Sequence, residues 1–129
     1  MALMSGSVLV VDDDPAFQRL AGRMLAEFGL AVVGQADSAS AARELADALR
    51  PDAVLVDVGL PDGDGIALAT ELTALPWRPR VVLTSSNADA AGASEVRRSR
   101  VEAFIPKERL PNAALDRLLG GRGDPDDKG

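Results

Sequence analysis

Short apolar runs alternate along the chain with stretches in which apolar residues recur every three or four positions. Residues 8–11, 31–34, 53–58, 81–84 and 103–105 predict strands. Several are apolar at consecutive positions, the pattern of parallel strands covered on both faces. Between them, Phe17, Leu20, Ala21, Met24, Leu25 and Phe28 fall at helical spacing, and Gly29 supplies a stop. Ala42, Leu45, Ala46 and Leu49 repeat the pattern up to Pro51, and Ile66, Ala69, Leu72 and Leu75 do so before Pro76. A weaker helix, poor in large apolar residues and broken by Gly92, is predicted over residues 88–98. Ala114, Leu115, Leu118 and Leu119 mark the last one. Five strand-then-helix units in series predict an α/β, doubly wound (βα)5 fold around a five-stranded parallel sheet.

At 129 residues, 47% of them hydrophobic, the chain suits one domain with a real core. Residues 1–7 read as an N-terminal extension. Residues 120–129, rich in Gly, Asp and Pro, read as a disordered tail or linker. A net charge of −6 argues against direct contact with nucleic acid, which needs clustered cations. The basic run Arg97-Arg98-Ser99-Arg100 is short and reads as a solvated helix end. With no cysteine and no histidine, disulfides, thiolate chemistry and phosphohistidine are excluded. No export signal and no apolar stretch of membrane-spanning length is visible, so a cytoplasmic protein is expected.

Ligands of open α/β sheets sit beyond the carboxyl ends of the strands. The first strand is followed by Asp12 and Asp13, and the third ends in Asp57 within "VLVDVGLPDGDG". The fourth ends in Thr84, and Lys107 follows the fifth in "AFIPK". Singly, each has a plain structural reading: a turn former, a strand residue, a solvated charge. Jointly, they place three carboxylates, a hydroxyl and an ammonium at one edge of an otherwise apolar sheet. Crowded carboxylates raise one another's pKa unless a cation sits among them. An all-oxygen site with few protein ligands suits Mg²⁺, and a metal with a lysine suits a phosphoryl group.

These motifs, in this order and on these elements, resemble the receiver domain of bacterial two-component response regulators, over residues 8–119. The resemblance implies a flavodoxin-like strand order, 2-1-3-4-5. It implies that Asp57 is the phosphoacceptor, taking its phosphoryl group from a histidine kinase or phosphotransfer protein. Asp13, Asp57 and the backbone carbonyl of Gly59 would bind Mg²⁺, with Asp12 acting through a water. Lys107 and Thr84 would stabilise the phosphoryl group. Thr84 and Phe104 would switch the face formed by the fourth helix, fifth strand and fifth helix, although Phe104 also reads as a plain core residue. The chain would then be a signalling phosphoacceptor rather than an enzyme, acting on a downstream protein or linked output domain. A phosphorylation-dependent homodimer is compatible with this picture, although the weak fourth helix puts the usual dimer face in question.

Gly59 and Ser86 flank the route of water to the phosphoryl group and are smaller than in many relatives, which predicts an unshielded acyl phosphate. Glu108 stands where many relatives have proline. Asp14, directly before Pro15, is placed to cap the first long helix. Trp77 lies at the opposite end of the sheet and reads as a packing residue.

Three other readings fit parts of the same pattern. "VLVVDDDP" also resembles the first motif of haloacid-dehalogenase-like phosphatases, with Asp12 as nucleophile and Asp14 as acid/base. That reading leaves Asp57 unexplained, and its only late acidic pair would be Asp126-Asp127. A phosphorylation-independent docking module would ordinarily lack one of the acidic or lysine residues kept here. "LPDGDG" and "FIPK" also resemble receivers attached to LuxR-type transcriptional regulators.

Overall fold

The computed structural model describes residues 6–87 and 92–120. Its elements run β1 (Ser7–Val11), α1 (Pro15–Glu27), β2 (Ala31–Ala36), α2 (Ala39–Leu49), β3 (Ala53–Asp57), β4 (Gly59–Leu60), β5 (Gly63–Asp64) and α3 (Gly65–Thr73). There follow β6 (Arg80–Ser85), α4 (Ala93–Ser99), β7 (Ala103–Pro106), a 3₁₀ helix (Lys107–Asn112) and α5 (Leu115–Leu118). Five strands form one parallel sheet in the order β2-β1-β3-β6-β7. Counting only those five, the order is 2-1-3-4-5, as expected.

The consecutive apolar runs are explained by two cores on opposite faces of this sheet. Leu9, Val11, Val54, Val56, Val81 and Leu83 face α2 and α3, through Ala42, Ala46, Leu68, Ala69 and Leu72. Val8, Val10, Leu55 and Val82 face α1, the 3₁₀ helix and α5, through Phe17, Leu25, Leu110 and Leu115. Alternate residues of each strand serve opposite layers, so neither set can be polar.

Where the structure departs from the expected boundaries, local chemistry gives the reason. Strand β2 runs on to Ala36 because its backbone stays paired with β1 through Val11. Helix α2 starts earlier than its apolar stripe, at Ala39, because the Ser38 hydroxyl accepts from the Ala41 N–H at 3.1 Å. Gly92 does not interrupt the fourth helix within the described residues but precedes it, with Glu95 Oε1 accepting from the Gly92 N–H at 3.2 Å. The predicted start of that helix, residues 88–91, lies outside the described residues. So do residues 1–5 of the extension and residues 121–129 of the tail, with Asp126-Asp127. The last helix is only four residues long, and the segment before it winds as a 3₁₀ helix containing Pro111, which has no N–H to donate.

The small antiparallel pair β4–β5 was not anticipated. It folds "LPDGDG" back so that Asp62 caps another element: its Oδ1 and Oδ2 accept from the N–H groups of Ala39 and Ser40 at 2.7 and 3.1 Å. These bonds hold the Asp62 carboxyl below the usual carboxylate range. At the other end of the sheet, the Trp77 indole N–H donates to the Pro51 carbonyl at 2.9 Å, and the Arg50 guanidinium lies 5.1 Å from its ring centroid. Among the described residues, no helix is long and apolar enough to cross a membrane.

Candidate functional site

Parallel pairing alone brings the predicted site residues together. Val11, the last residue of β1, pairs with Val56, so Asp12 and Asp57 leave neighbouring strands at one edge. Asp57 pairs with Thr84, and Thr84 with Ile105 two residues before Lys107. The carboxylate oxygens of Asp12, Asp13 and Asp57 lie within 4.8 Å of one another. Lys107 Nζ sits 2.7 Å from Asp12 Oδ2 and 3.9 Å from Asp57 Oδ2.

The three aspartates of "VVDDDP" differ in their surroundings. Asp12 is fully buried, Asp57 nearly so, and Asp13 is exposed. Asp12 Oδ1 accepts from the Asp14 N–H at 2.8 Å, while its buried Oδ2 has no hydrogen-bonding partner beyond the Lys107 contact. Asp14 turns away, and its Oδ1 accepts from the Ala16 N–H at 3.0 Å as the N-cap of α1, with Pro15 at the first helical position. The cluster therefore offers hard oxygen donors, one of them buried and short of partners, a set that fits Mg²⁺.

Burial pushes the Asp57 carboxyl above its ordinary pKa, and the Asp12 charge adds to that. Lys107 and the Gly59 N–H, which donates to Asp57 Oδ1 at 3.3 Å, oppose the shift. A raised folded pKa means that ionised Asp57 opposes folding. The penalty is absent below the ordinary carboxylate range and grows as pH rises through the window up to the raised value. Asp57→Asn should therefore raise Tm by a few degrees at pH 7 in EDTA, and this advantage should shrink on acidification through that window. A variant melting at or below the parent temperature at pH 7 would contradict the electrostatic account.

The remaining predicted residues are less uniform. Thr84 is fully buried, and its hydroxyl donates to the Ile105 carbonyl at 2.6 Å. Phe104 is half-buried and packs against the α2–α3 layer, as do Val96 and Val101. Gly59 and Ser86 are exposed, and a side chain added at Gly59 would meet nothing within 4 Å.

Three residues at the site were missed by sequence reasoning. The Gln18 carboxamide donates to the carbonyls of Asp12 and Ala36, at 2.7 and 3.2 Å, and ties the ends of β1 and β2 together. The Phe17 ring lies under Lys107, with Nζ 4.2 Å from its centroid. Gly65 packs directly on the backbone of Asp57 and Val58. A polar residue beside an apolar helical stripe was the only hint of Gln18, and nothing in the pattern separated Phe17 from ordinary core.

Comparison with known proteins agrees with this fold. The family model described as the response regulator receiver domain matches residues 8–118. The chain is 33% identical over 136 residues to a protein-glutamate methylesterase/protein-glutamine glutaminase of Alkalilimnicola ehrlichii, covering 95% of this chain and 35% of that one. It is 38% identical over 78 residues to the transcriptional regulatory protein PdtaR of Mycobacterium tuberculosis, covering 60% of this chain and 38% of that one. Thus the chain spans little more than a third of the length of either relative. Among solved structures, the signal receiver domain of the response regulator NarL from M. tuberculosis superposes with a TM-score of 0.79 at 31% identity, covering 93% of this chain and all of that one. Fold, strand-end chemistry and relatives converge: the chain belongs to the response regulator receiver domain family of two-component systems.

Proposed function

We propose that Asp57 accepts the phosphoryl group, and the observation that carries this is the meeting of three carboxylates and Lys107 at one sheet edge. A carboxylate oxygen of Asp57 forms the new bond to phosphorus as the bond from phosphorus to the donor's leaving atom breaks. The donor keeps that electron pair and takes up a proton. Asp57 keeps some exposure and has exposed Asp13 and Gly59 as neighbours in the site, whereas Asp12 is fully buried against Lys107. Mg²⁺ bound by Asp13, Asp57 and the Gly59 carbonyl, with Asp12 through a water, would neutralise charge on the phosphoryl oxygens. Lys107 supplies a second positive charge from the β7 side.

Thr84 serves as the reporter of the modified state. Its hydroxyl leaves the Ile105 carbonyl for a phosphoryl oxygen, and β7 with Phe104 repacks as the population shifts. A cleft of about 420 Å³ bordered by Phe104, Ile105, Pro106, Arg109, Asn112 and Ala113 lies along β7 and the 3₁₀ helix, beside the strand that would repack. The donor is a histidine kinase or phosphotransfer protein. The named relatives are longer proteins with different activities, so the reader is a linked output domain or a separate protein.

Incubation with a small phosphodonor and Mg²⁺, followed by intact mass and peptide mapping, tests the assignment. One added phosphoryl group on the Asp57 peptide is expected. Label on Asp12, or none, would overturn it. The open space at Gly59 gives a second expectation: Gly59→Met should shield the acyl phosphate and lengthen its lifetime, and an unchanged decay rate would remove Gly59 from that role.

A further inference from the structure

Lys107 reaches the site against a side chain that carries no charge. Its Nζ lies 4.2 Å from the Phe17 ring centroid, besides the contacts to Asp12 and Asp57. A cation over an aromatic face within about 6 Å is attracted by the ring quadrupole, more strongly where water is excluded. Phe17 is 7% exposed and the Lys107 side chain 19%, so water screens the pair little. Packing against the α1 layer requires an apolar residue of about this size, which leucine or methionine would also supply. Neither would supply the quadrupole.

Resting on the assignment of Asp57 as phosphoacceptor, we propose that Phe17 is a positioning residue for Lys107. Its ring holds the ammonium beside Asp57 independently of what Asp12 is bound to. Asp12 is the nearer carboxylate partner of Lys107, yet a divalent cation in the acidic cluster would draw on that same carboxylate. An ammonium released from Asp12 sits on a flexible four-carbon stem and would tend toward water. The ring neither titrates nor ligates a hard cation, so its hold persists through metal binding and phosphorylation. Incoming phosphoryl oxygens then meet a positive charge already in place.

The chain has only two lysines, Lys107 and Lys128, so NMR of lysine-labelled protein isolates the interaction. In the unaltered, metal-free protein, the Lys107 Cε protons should be shifted upfield by the Phe17 ring current relative to those of Lys128. Replacing Phe17 site-specifically with pentafluorophenylalanine keeps the shape and reverses the quadrupole. It should displace that resonance and slow phosphoryl uptake on Asp57 by roughly three- to tenfold. An unshifted Lys107 resonance in the unaltered protein, or a folded fluorinated variant with unchanged uptake, overturns the proposal. Failure of the phosphoacceptor assignment looks different: the unaltered protein would gain no phosphoryl group, while the ring-current shift, which needs none, would remain.

Discussion

Lys107→Ala should destabilise the metal-free protein by about 3 kcal/mol and slow phosphoryl uptake by roughly one to two orders of magnitude. The first effect comes from Asp12. That carboxylate is fully buried, and its Oδ2 has no hydrogen-bond partner besides the Lys107 ammonium 2.7 Å away. Removing the ammonium leaves a buried charge without a counter-charge, and Asp57 loses the cation opposing its crowding. The second effect follows from the proposed acceptor role of Asp57, beside which the ammonium would offset negative charge on the phosphoryl oxygens. Urea unfolding in EDTA and mass-detected uptake measure the two separately. Mg²⁺ should return part of the lost stability, because a ligand that binds only the folded state stabilises it by mass action. A variant as stable as the parent in EDTA would contradict the electrostatic picture of the Asp12 niche.

Gly65→Ala should be comparably damaging through sterics alone. A Cβ there would lie 2.2 Å from the Asp57 carbonyl oxygen and 2.7 Å from Val58 Cα. Both obstacles are backbone, so no side chain can swing aside. The Gly65 N–H also donates to the Val58 carbonyl at 2.9 Å, pinning the start of α3 to the end of β3. Relief requires α3 to move off the sheet or the Asp57–Val58 peptide to turn, and either misaims the Asp57 carboxylate. Overpacking of this kind costs about 3 kcal/mol, and phosphoryl uptake should fall with it. Gly59→Ala is the matched control, since a side chain there enters open space. Equal denaturant midpoints for the two variants would show that α3 yields more easily than the contacts imply.

Much of this was legible in the sequence because it depends on strand ends. Asp12, Asp57, Thr84 and Lys107 converge by parallel pairing, and the doubly covered sheet announces itself in runs such as "VLVV" and "AVLV". What could not be read depends on packing between distant segments. Asp62 carried no signal in the pattern, because its partners are the N–H groups of Ala39 and Ser40, more than twenty positions earlier. Nothing in the spacing singled out Gly65, whose constraint is the proximity of β3. Phe17 satisfied the helical stripe so well that its second role left no trace in the spacing. The 3₁₀ segment ahead of the last helix was not expected, and Pro111 with the extended backbone at Ala113 is compatible with its tighter winding.

The 2.6 Å bond from the Thr84 hydroxyl to the Ile105 carbonyl bears on the speed of signalling. Releasing it needs rotation about one side-chain bond, a local motion slowed at buried Thr84 relative to the picoseconds to nanoseconds of exposed side chains. Repacking a half-buried aromatic and its strand is collective and belongs to microseconds or longer. In the proposed switch, the packing of β7 rather than rotation of the Thr84 hydroxyl would therefore set the speed of the response.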